Sequence, residues 1–132
     1  MKTIKRKYKK KTPKQLLEKR LDRKWQEIVC PPDTPCGLCG KLPACGHHIV
    51  LKSRCKALRW VIENGIPLCP HCHYLVHNVD PREYNARIDE KIGKERVEYL
   101  REHRQDEFLE NKKNYDKVEQ SLARASANQN SI

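Results

Sequence analysis

The sequence has few of the residues that build a large apolar core. Hydrophobic residues make up 37% and aromatic residues 6% of its 132 positions, so the chain can form one domain but not two comfortable ones. No apolar run approaches the roughly 20 residues that a membrane-spanning helix needs. The basic N-terminus is not followed by the apolar segment of a signal peptide. These absences predict a cytoplasmic protein that is neither membrane-bound nor secreted.

Acidic residues are also in the minority. Lys and Arg number 28 against 17 Asp and Glu, which gives a net charge of +11 and predicts a polyanionic partner such as DNA. The basic excess is greatest before residue 25, and residues 1–12 are predicted to form a disordered basic arm. Such an arm would neutralise phosphates and make binding depend on salt, although a merely solubilising tail has the same composition.

Cysteine, by contrast, is abundant. Seven cysteines, an odd number, in a chain without a signal peptide point away from disulfides and towards a bound metal. Cys36-Gly-Leu-Cys39 and Cys69-Pro-His-Cys72 are two identically spaced pairs that can place four thiolates tetrahedrally around one structural Zn²⁺. Unrelated buried thiols or a redox pair would explain this spacing poorly. Three cysteines remain, and we expect them to be packing residues or spare thiols: Cys30, Cys45 and Cys55.

The histidines form a second group. His47 and His48 adjoin residues 49–51, which we predict to be a strand, and His73 and His77 lie one helical turn apart. Adjacent residues on a strand point to opposite faces, so only one of the first two histidines should join the other pair. Three protein ligands with open positions describe a catalytic metal site rather than a structural one.

Helical patterns flank these motifs. Thr12 is typical of a cap before the first helix, and Gly93 is typical of a residue that ends a later one. We therefore expect a single domain over residues 13–111. Its predicted parts are a helix over 13–29, a motif core over 36–78 and helices over 81–92 and 94–111, followed by a polar, frayed tail over 112–132.

The three motifs HHIV, ENGIPLC and CPHCHYLVH together resemble the HNH endonuclease family. The resemblance covers residues 36–78, roughly a third of the chain, and includes the paired cysteine knuckles that many members carry. It implies a small α+β fold, in which a ββα-metal core is stapled by a four-cysteine zinc site and flanked by N- and C-terminal helices. Such a core is too short to be stable alone, so we expect the zinc and the flanking helices to stabilise it.

The functional residues of the family match five positions of this sequence. By this resemblance His47 takes the first metal-ligand position, and His48 takes that of the general base. Asn64 is expected to orient the His48 imidazole in its catalytic tautomer through a side-chain or backbone bond. His73 and His77 complete the ligands of a catalytic divalent ion such as Mg²⁺, Mn²⁺, Ni²⁺ or Zn²⁺.

Two positions depart from the family pattern. Many relatives have Asp where His47 stands, and the change from a carboxylate to an imidazole alters which ions the site prefers. Gly65 stands where a Leu is common, and this predicts a looser turn before the second strand.

The implied activity is metal-dependent hydrolysis of DNA, with one strand nicked per binding event by a monomer or weak dimer. Small stand-alone members are often encoded by phages, so recombination or packaging proteins inside a bacterial host are the expected partners. Two other functions stay open: a non-catalytic, zinc-dependent DNA-binding module, and an RNA-directed nuclease on the same scaffold. Four basic residues between the motifs are expected to contact flanking phosphates: Lys52, Arg54, Lys56 and Arg59.

Overall fold

The computed structural model describes residues 9–130, which form a small mixed α+β fold of five helices and a two-stranded sheet. The predicted basic arm lies largely outside these residues, and residues 9–12 belong to no helix or strand. Among the helices of the described range, none is both long and apolar enough to cross a bilayer. In chain order the elements are α1 (Pro13–Val29), β1 (Cys45–His48), β2 (Gly65–Leu68), α2 (Pro70–Tyr74), α3 (Pro81–Ile92), α4 (Lys94–His103) and α5 (Lys112–Asn130).

Helix α1 begins where the sequence predicts, at a capping box. The Thr12 hydroxyl accepts a hydrogen bond from the Gln15 backbone N–H, and the Gln15 side chain accepts one from the Thr12 N–H at 2.9 Å. Leu21 and Trp25 lie one turn apart and are completely buried. This apolar face contacts both the sheet and α5.

The two strands pair antiparallel, with His47 opposite Ile66 and His48 opposite Gly65. The first strand contains the two histidines, as the prediction from alternation assumes, but it ends at His48 and does not include the predicted residues 49–51. The strands end at the pair His48 and Gly65, and one further backbone hydrogen bond joins the Ile49 N–H to the Asn64 carbonyl at 2.9 Å. The chain then bends away from the sheet.

Helix α1 lies directly on this sheet at glycine positions. A Cβ atom at Gly65 would come within 2.6 Å of Val29 Cγ2 and 2.7 Å of Trp25 Cζ2. The Gln26 side-chain amide donates to the Gly46 carbonyl and accepts from the Gly46 N–H, both at 2.8 Å. Gly65 therefore permits the close approach of a helix to an extended strand, rather than loosening a turn.

The C-terminal part differs most from the prediction. The helix expected over residues 94–111 ends at His103. Most of the tail expected to be frayed forms α5 instead, through residue 130. Tyr115 and Leu122 of α5 are buried in the cluster that contains the apolar face of α1. The prediction was wrong because the few apolar side chains of this segment, which also include Val118 and Ala125, suffice once α1 offers a face that buries them.

Candidate metal centres

Four cysteine sulfurs meet beside the sheet. Cys36 and Cys39 precede β1, Cys69 and Cys72 lie at the start of α2, and their Sγ atoms all lie within 4.8 Å of one another. Thiolates bound tetrahedrally to one Zn²⁺ at about 2.3 Å would be about 3.8 Å apart. The sulfurs of Cys39 and Cys69 are 3.5 Å apart. The donor set therefore fits a structural metal ion with four sulfur ligands.

The environment of these sulfurs favours one thiolate but not four. Backbone N–H groups of Leu38 and Cys72 donate to the sulfurs of Cys36 and Cys69, both at 3.4 Å. Burial opposes ionisation of Cys36, but nearby backbone N–H groups outweigh it and lower its pKa to about 6. Burial and the neighbouring thiols raise the pKa of Cys72. Deprotonation of all four thiols therefore needs a cation among them.

The other three cysteines lie outside this group. Cys30 donates to the Ala44 carbonyl at 3.2 Å, and the buried Cys55 thiol lies 3.6 Å from the His103 carbonyl oxygen. Cys45 is exposed at the start of β1. These positions agree with packing residues and a spare thiol rather than ligands of the four-cysteine group.

Three histidines form the second cluster. His47 on β1, His73 in α2 and His77 in the wide helical turn that follows each place a ring nitrogen within 4.8 Å of the others. The ring centroids of His73 and His77 are 4.4 Å apart, and that of His47 lies 5.1 Å and 5.2 Å from them. His47 is buried, whereas the other two are exposed. The three predicted ligands are thus brought together with one side open to solvent.

Burial keeps the His47 imidazole neutral. It lowers the pKa of His47 to about 3, and repulsion from the charged forms of His73 and His77 adds to the effect. Burial, followed by repulsion from His77, also lowers the pKa of His73. Neutral imidazole is the form that binds a divalent ion, so the donor set fits a metal site with open positions.

His48 faces away from the three-histidine cluster, as the alternation along a strand requires. Its ring stacks on the indole of Trp25, with centroids 3.9 Å apart and planes 6° from parallel. Its Nε2 lies 2.8 Å from the Arg59 carbonyl oxygen. Because a carbonyl only accepts, Nε2 carries the proton and Nδ1 keeps its lone pair. Burial lowers the pKa of His48 although this hydrogen bond opposes it, so the ring is neutral at pH 7.

Asn64 is completely buried, but its side chain bonds to the backbone and not to His48. Its Nδ2 donates to the carbonyls of Val50 at 2.9 Å and Leu58 at 3.1 Å, and its Oδ1 accepts from the Val50 N–H at 2.7 Å. The predicted contact with the imidazole is therefore made by the carbonyl of Arg59. Asn64 instead fixes the loop between the strands, because its amide can satisfy three backbone groups there.

Both kinds of histidine border one cleft of about 280 Å³. Lys52 lines this cleft and Arg54 is exposed, so both are available to a phosphate. Lys56 and Arg59 are not, because acidic residues of α1 and of the segment before α5 pair with them. No sequence signal marked this pairing, since the partners are distant along the chain. The residues that line the cleft are Gly46, His47, His48, Leu51, Lys52, Ser53, His73 and His77.

Comparison of the chain with models of known families, with curated proteins and with solved structures finds no match. The functional interpretation therefore depends on the geometry of the two clusters and of the cleft.

Proposed function

We propose that this protein is a metal-dependent HNH endonuclease that hydrolyses DNA phosphodiester bonds. The observation that carries the proposal is the alternation at His47 and His48. It directs one imidazole into the three-histidine cluster and holds the other apart on the same cleft. Phosphodiester hydrolysis needs both, because a water must lose a proton while charge develops on the phosphate and the leaving oxygen.

His48 supplies the general base. Its Nδ1 accepts the proton of a water whose oxygen attacks phosphorus, and the bond between phosphorus and the 3′ oxygen breaks. The products are a 5′-phosphate and, once the 3′ oxygen has taken a proton from solvent, a 3′-hydroxyl. The lowered pKa supports this role, because His48 must be neutral to accept a proton at pH 7.

His47, His73 and His77 would hold the catalytic divalent ion, such as Mg²⁺, Mn²⁺, Ni²⁺ or Zn²⁺. When bound, it would polarise the phosphate and neutralise charge on the leaving oxygen. The buried His47 is fixed by the strand, and the exposed His73 and His77 leave the outer side for water and phosphate. This openness favours a catalytic ion over a second structural one.

Zn²⁺ is the proposed ion of the four-cysteine group. Helix α2 begins directly after Cys69 and carries His73, so an ion bound there would hold the helix against the sheet. Three of the four cysteines belong to the hydrophobic cluster that also buries Ile66, Leu68 and Val76. Without a metal, this cluster is a small core. Zinc would therefore stabilise the fold and, through α2, place His73 beside His47.

DNA is the proposed substrate because the chain carries a net charge of +11 and a lysine lines the cleft. One base and one ion act on one strand, so we expect a monomer or weak dimer that nicks. The resemblance extends the proposal to a phage-encoded enzyme that acts with recombination or packaging proteins in the cytoplasm of a bacterial host.

A plasmid-cleavage assay with a panel of divalent ions tests the proposal. Supercoiled DNA should be nicked first, and linear DNA should appear later from independent nicks. His48→Ala should lose this activity. His71→Ala is the matched control, because His71 is exposed on α2 outside both clusters.

Other outcomes separate the alternatives. DNA binding without cleavage under any ion would favour the non-catalytic module, and cleavage of RNA but not DNA would favour the RNA-directed nuclease. Linear product without a nicked intermediate would refute the monomer and require an obligate dimer.

A further inference from the structure

The face of the His48 imidazole rests on a single residue of α1. The Trp25 indole is completely buried and lies parallel to the imidazole at 3.9 Å between centroids. Its Nε1–H donates to the Val61 carbonyl at 2.9 Å, so the indole cannot rotate without breaking a buried hydrogen bond. The plane of the imidazole is therefore set by a ring that is itself fixed.

The edge of the imidazole depends on the same helix. His48 Nε2 donates to the carbonyl of the peptide bond between Arg59 and Trp60. Asp22 holds the side chains on both sides of this bond. It accepts two hydrogen bonds from the Arg59 guanidinium, at 3.0 Å and 2.7 Å, and one from Trp60 Nε1 at 2.9 Å. One carboxylate thus fixes the acceptor that sets the tautomer of His48.

Asp22 and Trp25 are three residues apart, so they share one face of α1. Both lie outside residues 36–78, where the sequence motifs are found. We infer that Asp22 and Trp25 are positioning residues for His48, which keep its ring plane and its Nε2-protonated tautomer so that Nδ1 faces the cleft. This inference rests on the proposed role of His48 as the general base.

A structural role for Asp22 accompanies the positioning role. Its side chain is 26% exposed and that of Arg59 is 19% exposed, and a bidentate pair of this kind also contributes to stability. The same hydrogen bonds constrain a carbonyl whose direction matters to one imidazole. Positioning and stability are separated by measuring the tautomer of His48.

The first test measures the tautomer directly and needs no DNA. Long-range proton–nitrogen spectra of the ¹⁵N-labelled, zinc-loaded protein should show His48 protonated only at Nε2. Asp22→Asn and Trp25→Leu should each give a mixture of tautomers or an averaged signal. Leu21→Ala is the matched control, because Leu21 is equally buried on α1 and belongs to the same cluster as Trp25. Wild-type spectra in both Asp22→Asn and Trp25→Leu would overturn the inference.

The second test separates positioning from stability in cleavage. Trp25→Leu should lower kcat by about tenfold or more with little change in KM for DNA. Trp25→Phe should recover most of the rate, because it restores an aromatic face, and Leu21→Ala should keep the wild-type kcat. If Trp25→Leu does not fold, Asp22→Asn decides the outcome, because it too should lower kcat with little change in KM.

The two failures are distinguishable. A wild-type protein that cleaves nothing would refute the proposed function, while the tautomer spectra would still decide whether α1 positions His48. A wild-type enzyme that cleaves, with Asp22→Asn and Trp25→Leu equal to it in kcat and tautomer, would overturn only the inference about α1.

Discussion

The two candidate metal centres both take ligands from α2 and the turn that follows it. They differ in the number of their ligand atoms and in their exposure to solvent. Cys69 and Cys72 begin α2, and His73 and His77 follow within two turns. The four-cysteine group offers four sulfur donors, enough for a complete tetrahedral coordination shell, and three of its members are buried. The three-histidine group supplies one donor fewer, and two of its members are exposed. A site with a full set of protein ligands thus lies next to a site that leaves coordination positions open. Structural metals occupy sites of the first kind, and catalytic metals occupy sites of the second.

The largest expected effect is loss of the fold when the four-cysteine group is broken. Cys36→Ser or Cys69→Ser should unfold residues 36–78, because structural zinc contributes on the order of 10 kcal/mol to folding. Circular dichroism and metal analysis should show lost structure and lost zinc, against about one tightly held zinc in the wild type. Cys45→Ser is the control, because Cys45 is exposed and outside the group. A folded, reduced wild-type protein without metal would disprove the four-sulfur site.

The next effect distinguishes the proposed general base, His48, from the proposed metal ligands among the histidines. His48→Ala should reduce cleavage by about 10²–10⁴-fold, the usual contribution of a general base, with near-normal binding of the divalent ion. His73→Ala should weaken both cleavage and ion binding. Cleavage rates and isothermal titration with the ion measure the two effects. Equal loss of ion binding in both variants would show that the roles of His47 and His48 are wrongly assigned.

A smaller effect concerns pH and the buried ligand. Burial and the neighbouring imidazoles hold the pKa of His47 at about 3, below its ordinary value of 6.5. Between these values the unfolded chain binds a proton that the folded chain does not. Stability should therefore be greatest above pH 6.5 and fall as pH falls towards 3, by at most about 1.4 kcal/mol per pH unit from this group.

Urea unfolding of protein with zinc at the cysteine site alone checks this prediction, at about pH 7 and about pH 5.5. His47→Gln cannot gain the proton, so its stability should depend less on pH. The same slope in His47→Gln and in the wild type would assign the pH dependence to other groups.

The smallest effect concerns deletion of the basic arm, which removes no member of either cluster. Residues 1–11 contain seven Lys and Arg, and their deletion should weaken DNA binding and flatten its dependence on salt. The cleavage rate at saturating DNA should stay the same. Affinities measured over a range of salt concentrations give the slope, and an unchanged slope would indicate a solubilising tail.

Local patterns predicted much of the fold and of the site. Thr12 as a cap residue predicts the start of α1, and the cysteine spacing predicts a four-sulfur group, because both depend on neighbours in sequence. The spacing of His73 and His77 likewise predicted that both would meet a histidine of the strand.

What could not be predicted depends on tertiary contacts. Helix α5 was missed because its buried residues, Tyr115 and Leu122, become apolar partners only when α1 is beside them. The contact of Trp25 with His48 joins residues 23 positions apart, and no periodicity reports it. The family pattern predicts a contact between Asn64 and the imidazole, but the Asn64 amide bonds to backbone groups of the loop instead.

The missing side chain at Gly65 constrains how this sequence can diverge. Any Cβ there would meet Trp25 and Val29 at well under 3 Å, so a larger residue requires a smaller one on the helix or a shifted helix. Positions 25 and 65 should therefore covary among descendants of this chain, and a glycine in the strand should accompany a large aromatic in the helix. A double substitution that places a larger residue at position 65 and a smaller one at position 25 should lower the free energy of unfolding by less than the sum of the two single changes.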